Sequence, residues 1–96
     1  MMNSPLSDAD VDAVVVSILA NGIVRFPRYA LVAMEERGID ESDVRNVLRA
    51  GSCAGHRWTN GTCRYEICTE RFVVVIAFRS NEQLVIVTAW KEEPPS

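Results

Sequence analysis

Residues 53–68 have the sequence CAGHRWTNGTCRYEIC, two segments of strand-forming residues separated by Asn60-Gly61. Asn-Gly between two such segments is the strongest short-range signal for a tight β-hairpin, because both residues adopt positive φ angles at low cost. After this hairpin, residues 70–79 are rich in Val, Ile and Phe and predict a central strand buried on both faces. Residues 83–90 predict a last strand. The second half of the chain is therefore expected to form a four-stranded antiparallel sheet.

The first half of the chain shows helical spacing of apolar residues, bounded by start and stop signals. The three pairs of signals are Ser7 and Gly22, Pro27 and Gly38, and Asp40 and Gly51. Because the helices come first and the strands follow, we expect one α+β domain with three N-terminal helices packed on one face of the sheet. Its helical part spans residues 7–50 and its sheet part residues 52–91, and residues 92–96 are expected to fray.

Length and composition limit the class of protein. With 96 residues the chain has room for one domain. Its longest apolar runs fall far short of the roughly 20 residues of a membrane span, and residues 1–7 lack the basic flank and apolar core of a signal peptide. The three cysteines are an odd number, unlike a secreted disulfide framework. We therefore expect a soluble cytoplasmic protein that does not contact membranes.

The charge is unevenly distributed along the chain. The formal net charge of −3 argues against a strong nucleic-acid binder. Residues 51–91, however, contain five basic residues and three acidic ones, and nine of the ten basic residues of the chain are arginines. Arginine binds phosphate and carboxylate groups through two parallel hydrogen bonds. The sequence therefore places any chemistry in the sheet half.

Residues 22–44 carry a resemblance to a known family. Within them, YALVAMEERGIDESDV at residues 29–44 resembles the signature H-A-x-x-R-M-x-x-R-G-I-x-x-x-D-V of a bacterial domain-of-unknown-function family, which looks related to the MqsR and RelE-like toxins. MqsR-like chains share a G-x-V-R-x-x-x-x-A-L stretch, which residues 22–31 match. Two positions depart from the signature: its His falls on Tyr29 and its first Arg on Ala33.

The resemblance implies a RelE/MqsR-like fold and a toxin-type, metal-independent RNA endonuclease, or an inactive relative of one. In MqsR-like toxins a lysine near the C-terminus belongs to the active site, and Lys91 occupies that position. The partners implied are RNA and an antitoxin or target protein. No cofactor is implied.

Strand alternation nominates further catalytic residues. Side chains two apart share a sheet face, so regular alternation leaves a set of polar residues on the face away from the helices. This set comprises Arg64, Glu66, Arg79, Gln83 and Lys91. A carboxylate with several cations could serve acid–base chemistry on a phosphodiester. His56, the one histidine, is a candidate general base near neutral pH. The alternative is a solvated face whose charges pair across strands.

Candidate RNA-binding residues flank the hairpin, with one more at the second helix: Arg57, Trp58, Tyr65 and Arg28. The two aromatic rings could stack on unpaired bases, or form an aromatic pair on the sheet. Cys53, His56, Cys63 and Cys68 are ligand types that zinc prefers. Cys63 and Cys68, however, are five residues apart on one strand and should point to opposite faces, so we predict no metal site.

The sequence is therefore compatible with two functions. The first is the ribonuclease toxin or its inactive relative. The second is a non-catalytic protein-binding module or inhibitor, related to toxin–antitoxin or phage systems, that acts through the sheet face or its exposed edge.

Overall fold

The computed structural model describes residues 6–92. In chain order its elements are α1 (Asp8–Asn21), β1 (Ile23–Arg25), α2 (Arg28–Glu36), α3 (Glu41–Ala50), β2 (Ser52–Thr59), β3 (Thr62–Cys68), β4 (Phe72–Ser80) and β5 (Gln83–Lys91). The fold class is α+β, as predicted. The predicted frayed tail lies outside the described residues except for Glu92, whose backbone N–H donates to the Arg71 carbonyl at 2.6 Å.

Local capping explains where the helices begin. The Ser7 side chain accepts a hydrogen bond from the backbone N–H of Asp10 at 3.2 Å and so starts α1. Asp40 and Asp43 form a reciprocal capping box at the start of α3, with bonds of 2.7 and 3.1 Å. Within residues 6–92, no helix is long and apolar enough to cross a membrane.

The sheet has five strands in the order β1-β5-β4-β3-β2. Strands β2 to β5 are antiparallel, and the Asn60-Gly61 hairpin turn has φ angles of 50° and 78°, as predicted. The predicted four-stranded, purely antiparallel sheet was wrong because the link after α1 contains a fifth strand. This strand, β1, pairs in parallel with β5, with Ile23 beside Gln83. A three-residue strand is too short to show alternation in the sequence.

A close contact between the turn before β1 and the turn before β5 holds these two strands together. The turn at Gly22 packs against the β4–β5 turn so tightly that a Cβ atom on Gly22 would collide with the Glu82 carbonyl oxygen. The same carbonyl accepts a hydrogen bond from the backbone N–H of Ile23 at 2.8 Å. A larger residue at position 22 would therefore separate the two strands.

The helices cover one face of the sheet, and the core lies between them. Its members come from all three helices and from the inward face of β2 to β5, and the largest fully buried are Ile18, Met34, Ile67, Ile76, Leu84 and Ile86. The α1 helix is fixed to β2 by a polar contact as well. The Asp12 carboxylate accepts a hydrogen bond from the backbone N–H of Cys53 at 2.8 Å.

A β-bulge interrupts the regular alternation of β5. Val75 of β4 pairs with Thr88, whereas the adjacent Ile76 pairs with Ile86, so Val87 is an extra residue in β5. Because side chains alternate with a period of two, an extra residue exchanges the two faces for every residue that follows. The face assignments made by counting along β5 therefore fail after Val87.

Candidate functional site

Arginines dominate the sheet face that the helices leave uncovered, which we call the open face. Arg57 and Arg64 lie directly opposite each other on β2 and β3. Arg25 of β1 is on the same face, because it pairs with Val85. Glu66 is the one acidic residue within the five strands. In a chain of net charge −3, the open face is therefore a local concentration of positive charge.

Two adjoining cavities cross the open face, and we call them together the open-face groove. The larger, of about 440 Å³, has Tyr29, Arg64 and Arg79 in its wall. The smaller, of about 180 Å³, has Arg57, Arg64 and Glu66 in its wall. Apolar residues of β4 and β5 also line them: Val75, Ala77, Val85 and Val87. Arg64 lines both cavities and therefore stands at the centre of the groove.

Arg64 is a cation without a complete set of hydrogen bonds. Its Nε atom is buried and has no hydrogen-bond partner among residues 6–92. A buried donor without an acceptor costs free energy, and more so on a charged group. An anion bound in the groove would supply the missing acceptor.

The Val87 bulge decides which residues of the last strand reach the groove. Ala89 is fully buried in the core, and Thr88 and Trp90 line the smaller cavity. The Trp90 indole Nε1–H donates to the Glu92 carboxylate at 3.2 Å, which orients the ring. Alternation along an unbroken strand predicts Trp90 on the helix side. The structure places it on the open face.

Lys91 lies on the helix side of the sheet, not on the open face where alternation predicted it. It pairs with Phe72, which packs against the core. Its Nζ atom is 3.7 Å from the position that a Cβ atom on Gly38 would take, just beyond the end of α2. A cation there interacts favourably with the negative end of the helix dipole. The bulge thus separates Lys91 from the arginines of the open face.

A protein family described as a domain of unknown function, DUF4258, matches residues 26–91. The chain belongs to the DUF4258 family. The DUF4258 match begins directly after β1 and covers all residues that line the open-face groove. The comparison with curated proteins and the comparison with solved structures each found no match. The function of this DUF4258 domain therefore has to be argued from the chemistry of the groove.

Tyr29 is a groove residue that strand alternation could not find. It lies in the first turn of α2, is 59% exposed and lines the larger cavity with Arg79. A third cavity, of about 590 Å³, continues past these two residues to Arg25 and Gln83. The Tyr29 phenol is thus a proton donor beside the arginines of the DUF4258 domain.

Several predicted site residues lie away from the groove. His56 pairs with Tyr65, and Trp58 pairs with Cys63, so both point to the helix side of the hairpin. Tyr65 is 5% exposed, and its hydroxyl accepts a hydrogen bond from the backbone N–H of Leu6 at 3.1 Å. Its ring is therefore covered by the fold, and its stacking on RNA stays a prediction.

The remaining predicted RNA contact and the cysteines are also separate from the groove. Arg28 is exposed at the start of α2 and is not among the residues that line the two cavities. Cys68 lies on the open face, opposite Val73, whereas Cys63 faces the helix side, as predicted. Within residues 6–92, no three potential metal ligands lie together. Burial raises the pKa of the Cys53 thiol to about 11, with help from nearby Asp8.

Proposed function

We propose that this domain binds RNA in the open-face groove and cleaves it, in the manner of the RelE/MqsR-like ribonuclease toxins. The observation that carries the proposal is Arg64, whose buried Nε lacks an acceptor at the centre of the groove. Arg57 and Arg79 line the same groove on either side of it. Consecutive phosphates of an RNA strand are the ligand whose charge and repeating acceptors suit such a row.

The proposed reaction uses the ribose 2′-OH as the nucleophile. Its oxygen attacks the adjoining phosphorus to form a 2′,3′-cyclic phosphate, and the bond from phosphorus to the 5′-oxygen of the next nucleotide breaks. The Glu66 carboxylate accepts the 2′-OH proton, and the Tyr29 phenol donates a proton to the departing 5′-oxygen. Arg64 and Arg79 stabilise the charge that develops on the non-bridging oxygens. Exchange with water restores both side chains.

Purified protein and a short fluorescent single-stranded RNA test this proposal in the presence of EDTA. We expect binding by fluorescence anisotropy and products that end in a 2′,3′-cyclic phosphate. Arg64→Gln should weaken binding at least about tenfold, because a charge-assisted hydrogen bond contributes about 1.5 kcal/mol or more. The matched control is Arg49→Gln, on an exposed arginine of α3 whose side chain donates to Asn46. Intact RNA and no binding at low salt would sink the proposal.

Expression in bacteria gives a second test of the catalytic part. From a tightly controlled promoter we expect growth arrest with loss of full-length mRNA. Glu66→Gln should relieve both effects while RNA binding in vitro persists, since only the proton acceptor is lost. Normal growth with intact mRNA at high expression would leave the domain as an RNA-binding relative without catalysis.

A second candidate, a protein-binding module, is favoured by the position of β2. This eight-residue strand lies at the end of the sheet order, so one of its edges is open to pairing with a strand of a partner. A bulge at Gly55, whose φ is 114°, limits the straight part of that edge to the hairpin end. Co-purification of a stoichiometric partner that Arg64→Gln does not release, but that Trp58→Pro does, would support this function, because the Trp58 backbone N–H faces the open edge.

A further inference from the structure

We propose that Trp90 is a base-stacking platform that makes the open-face groove selective for single-stranded RNA. This inference rests on the proposed RNA binding and adds the class of RNA and a residue that recognises the base. In the proposed complex an unpaired base lies on the Trp90 ring while its phosphate contacts Arg64.

The Val87 bulge brings the two groups into one cavity. Trp90 and Arg64 both line the cavity of about 180 Å³. They come from β5 and β3, which flank β4. Trp90 pairs with Val73, whereas Arg64 precedes Tyr65, the partner of Ile76, so the two residues are also offset along the strands and their backbones are about 16 Å apart. Both side chains nevertheless line this cavity together with Val75, which lies between them on β4 and is only 8% exposed. A base and its phosphate could thus contact both residues at once.

The indole is oriented for contact through its ring face. Its Nε1–H is the only polar group of the side chain, and this group already donates to the Glu92 carboxylate. The ring is therefore left to interact with a base by stacking, which all four bases can do. The sequence preference of the groove should accordingly be weak.

Stacking on Trp90 requires a base that is not stacked on its neighbours. In an A-form duplex the bases are paired and stacked, and the deep, narrow major groove does not admit side chains. The cavity is also smaller than the roughly 300 Å³ at which sites for drug-sized ligands begin, so it suits one ring system rather than a base pair. Single-stranded RNA offers a base that is both unstacked and small enough for the cavity.

Intrinsic fluorescence separates this inference from the proposed function. The chain has two tryptophans, and Trp58 lies on the other side of the sheet. In Trp58→Phe, Trp90 is the only tryptophan, and titration with a single-stranded oligoribonucleotide should quench its fluorescence when tryptophan is excited selectively. An abasic oligomer of ribose phosphate should bind through the arginines without quenching. In Trp90→Phe, the remaining Trp58 should keep its fluorescence in both titrations.

Affinities complete the test. Trp90→Ala should weaken binding of single-stranded RNA about tenfold, as expected for one stacked base, whereas Trp90→Phe should retain most of the affinity. The wild-type protein should bind a blunt duplex of the same sequence at least about tenfold more weakly than the single strand. If RNA binds in the anisotropy assay but Trp90 is not quenched, or if duplex and single strand bind equally, the inference is overturned while the RNA-binding function stands. If no RNA binds at any salt concentration, both are overturned.

Discussion

Arg57 and Arg64 face each other directly across the β2–β3 hairpin, on the side of the sheet that the helices leave uncovered. Like charges at directly opposed positions of an antiparallel pair destabilise the sheet. A position that costs stability and is nevertheless occupied by arginine on both strands is more easily understood as a ligand-binding feature. The pair therefore provides a test in which stability and binding should change in opposite directions.

Replacing one member of the pair should stabilise the domain and weaken its binding. For Arg57→Gln we expect the free energy of unfolding to rise by about 0.5 kcal/mol, because the repulsion with Arg64 is removed. The affinity for single-stranded RNA should fall, and the slope of log K against log salt should decrease by about 0.7. Chemical denaturation and anisotropy at several salt concentrations measure the two effects. Arg49→Gln should change neither quantity appreciably, and a parallel loss of stability and binding in Arg57→Gln would contradict this interpretation.

Lys91 should contribute to stability rather than to catalysis. Its ammonium group lies beside Gly38 at the end of α2, on the helix side of the sheet. Lys91→Met keeps the apolar stem and removes the charge near the helix C-terminus, so we expect a loss of about 0.5 kcal/mol in the free energy of unfolding. RNA binding and cleavage should be unchanged. Loss of cleavage by a fully folded Lys91→Met protein would contradict this prediction and support a catalytic role for Lys91.

The contact between α1 and β2 should depend on one carboxylate. Asp12 accepts a hydrogen bond from the backbone N–H of Cys53, the one side-chain bond from α1 to the Cys53 backbone in the described range. Asp12→Ala removes the acceptor from a partly buried donor, and we expect the unfolding free energy to fall by about 2 kcal/mol. Asp10→Ala, in the exposed first turn of the same helix, is the control and should cost less. Equal losses in the two variants would show that helix charge, not the tertiary bond, is responsible.

Stability should decrease in alkaline solution because of Cys53. Burial raises the pKa of its thiol from 9.0 in the unfolded chain to about 11 in the folded protein. The stabilisation that this proton provides is complete below pH 9 and is lost as the pH rises to 11, since the unfolded thiol ionises first. A shift of this size corresponds to at most about 2.7 kcal/mol.

Denaturation titrations at pH 8 and pH 11 measure this effect. Burial also raises the pKa values of Tyr65 and Cys68, so the wild-type curve contains their contributions. The Cys53→Ala protein isolates the one thiol, because it should lose less stability between the two pH values than the wild type does. Equal losses in both proteins would exclude Cys53 as a contributor.

Features that depend on neighbouring residues could be predicted from the sequence. The Ser7 and Asp40 caps form as expected, and Asn60-Gly61 forms the predicted tight turn. Each of these structures depends on residues within three or four positions of one another, so the local sequence contains the whole cause.

Features that depend on distant pairing could not be predicted in this way. The β1 strand has only three residues, and its partner lies on the last strand, so no periodicity marks it. No residue type in the sequence of β5 indicates the bulge at Val87. The bulge nevertheless moves Trp90 to the open face and Lys91 to the helix side. Register is a property of two strands together, and a single strand cannot specify it.

In the candidate site, too, local sequence patterns predicted some residues, and residues that depend on distant packing were missed. Alternation along β3 and β4 predicted Arg64, Glu66 and Arg79 on the open face, and the structure has them lining the groove. Their roles stay predictions. Tyr29 was missed because α2 reaches the groove from beyond the sheet edge, which no strand pattern can indicate.

The parallel pairing of β1 with β5 also has a consequence for biosynthesis. The β2, β3 and β4 strands pair with neighbours in sequence and can form as the nascent chain emerges, whereas β1 has to wait for a partner about 60 residues later. The same last strand, β5, contributes Trp90 and Val87, which line the groove. A ribosome-bound chain that ends before β5 therefore carries its arginines without the groove, and the proposed RNA site forms only when translation of the last strand is complete.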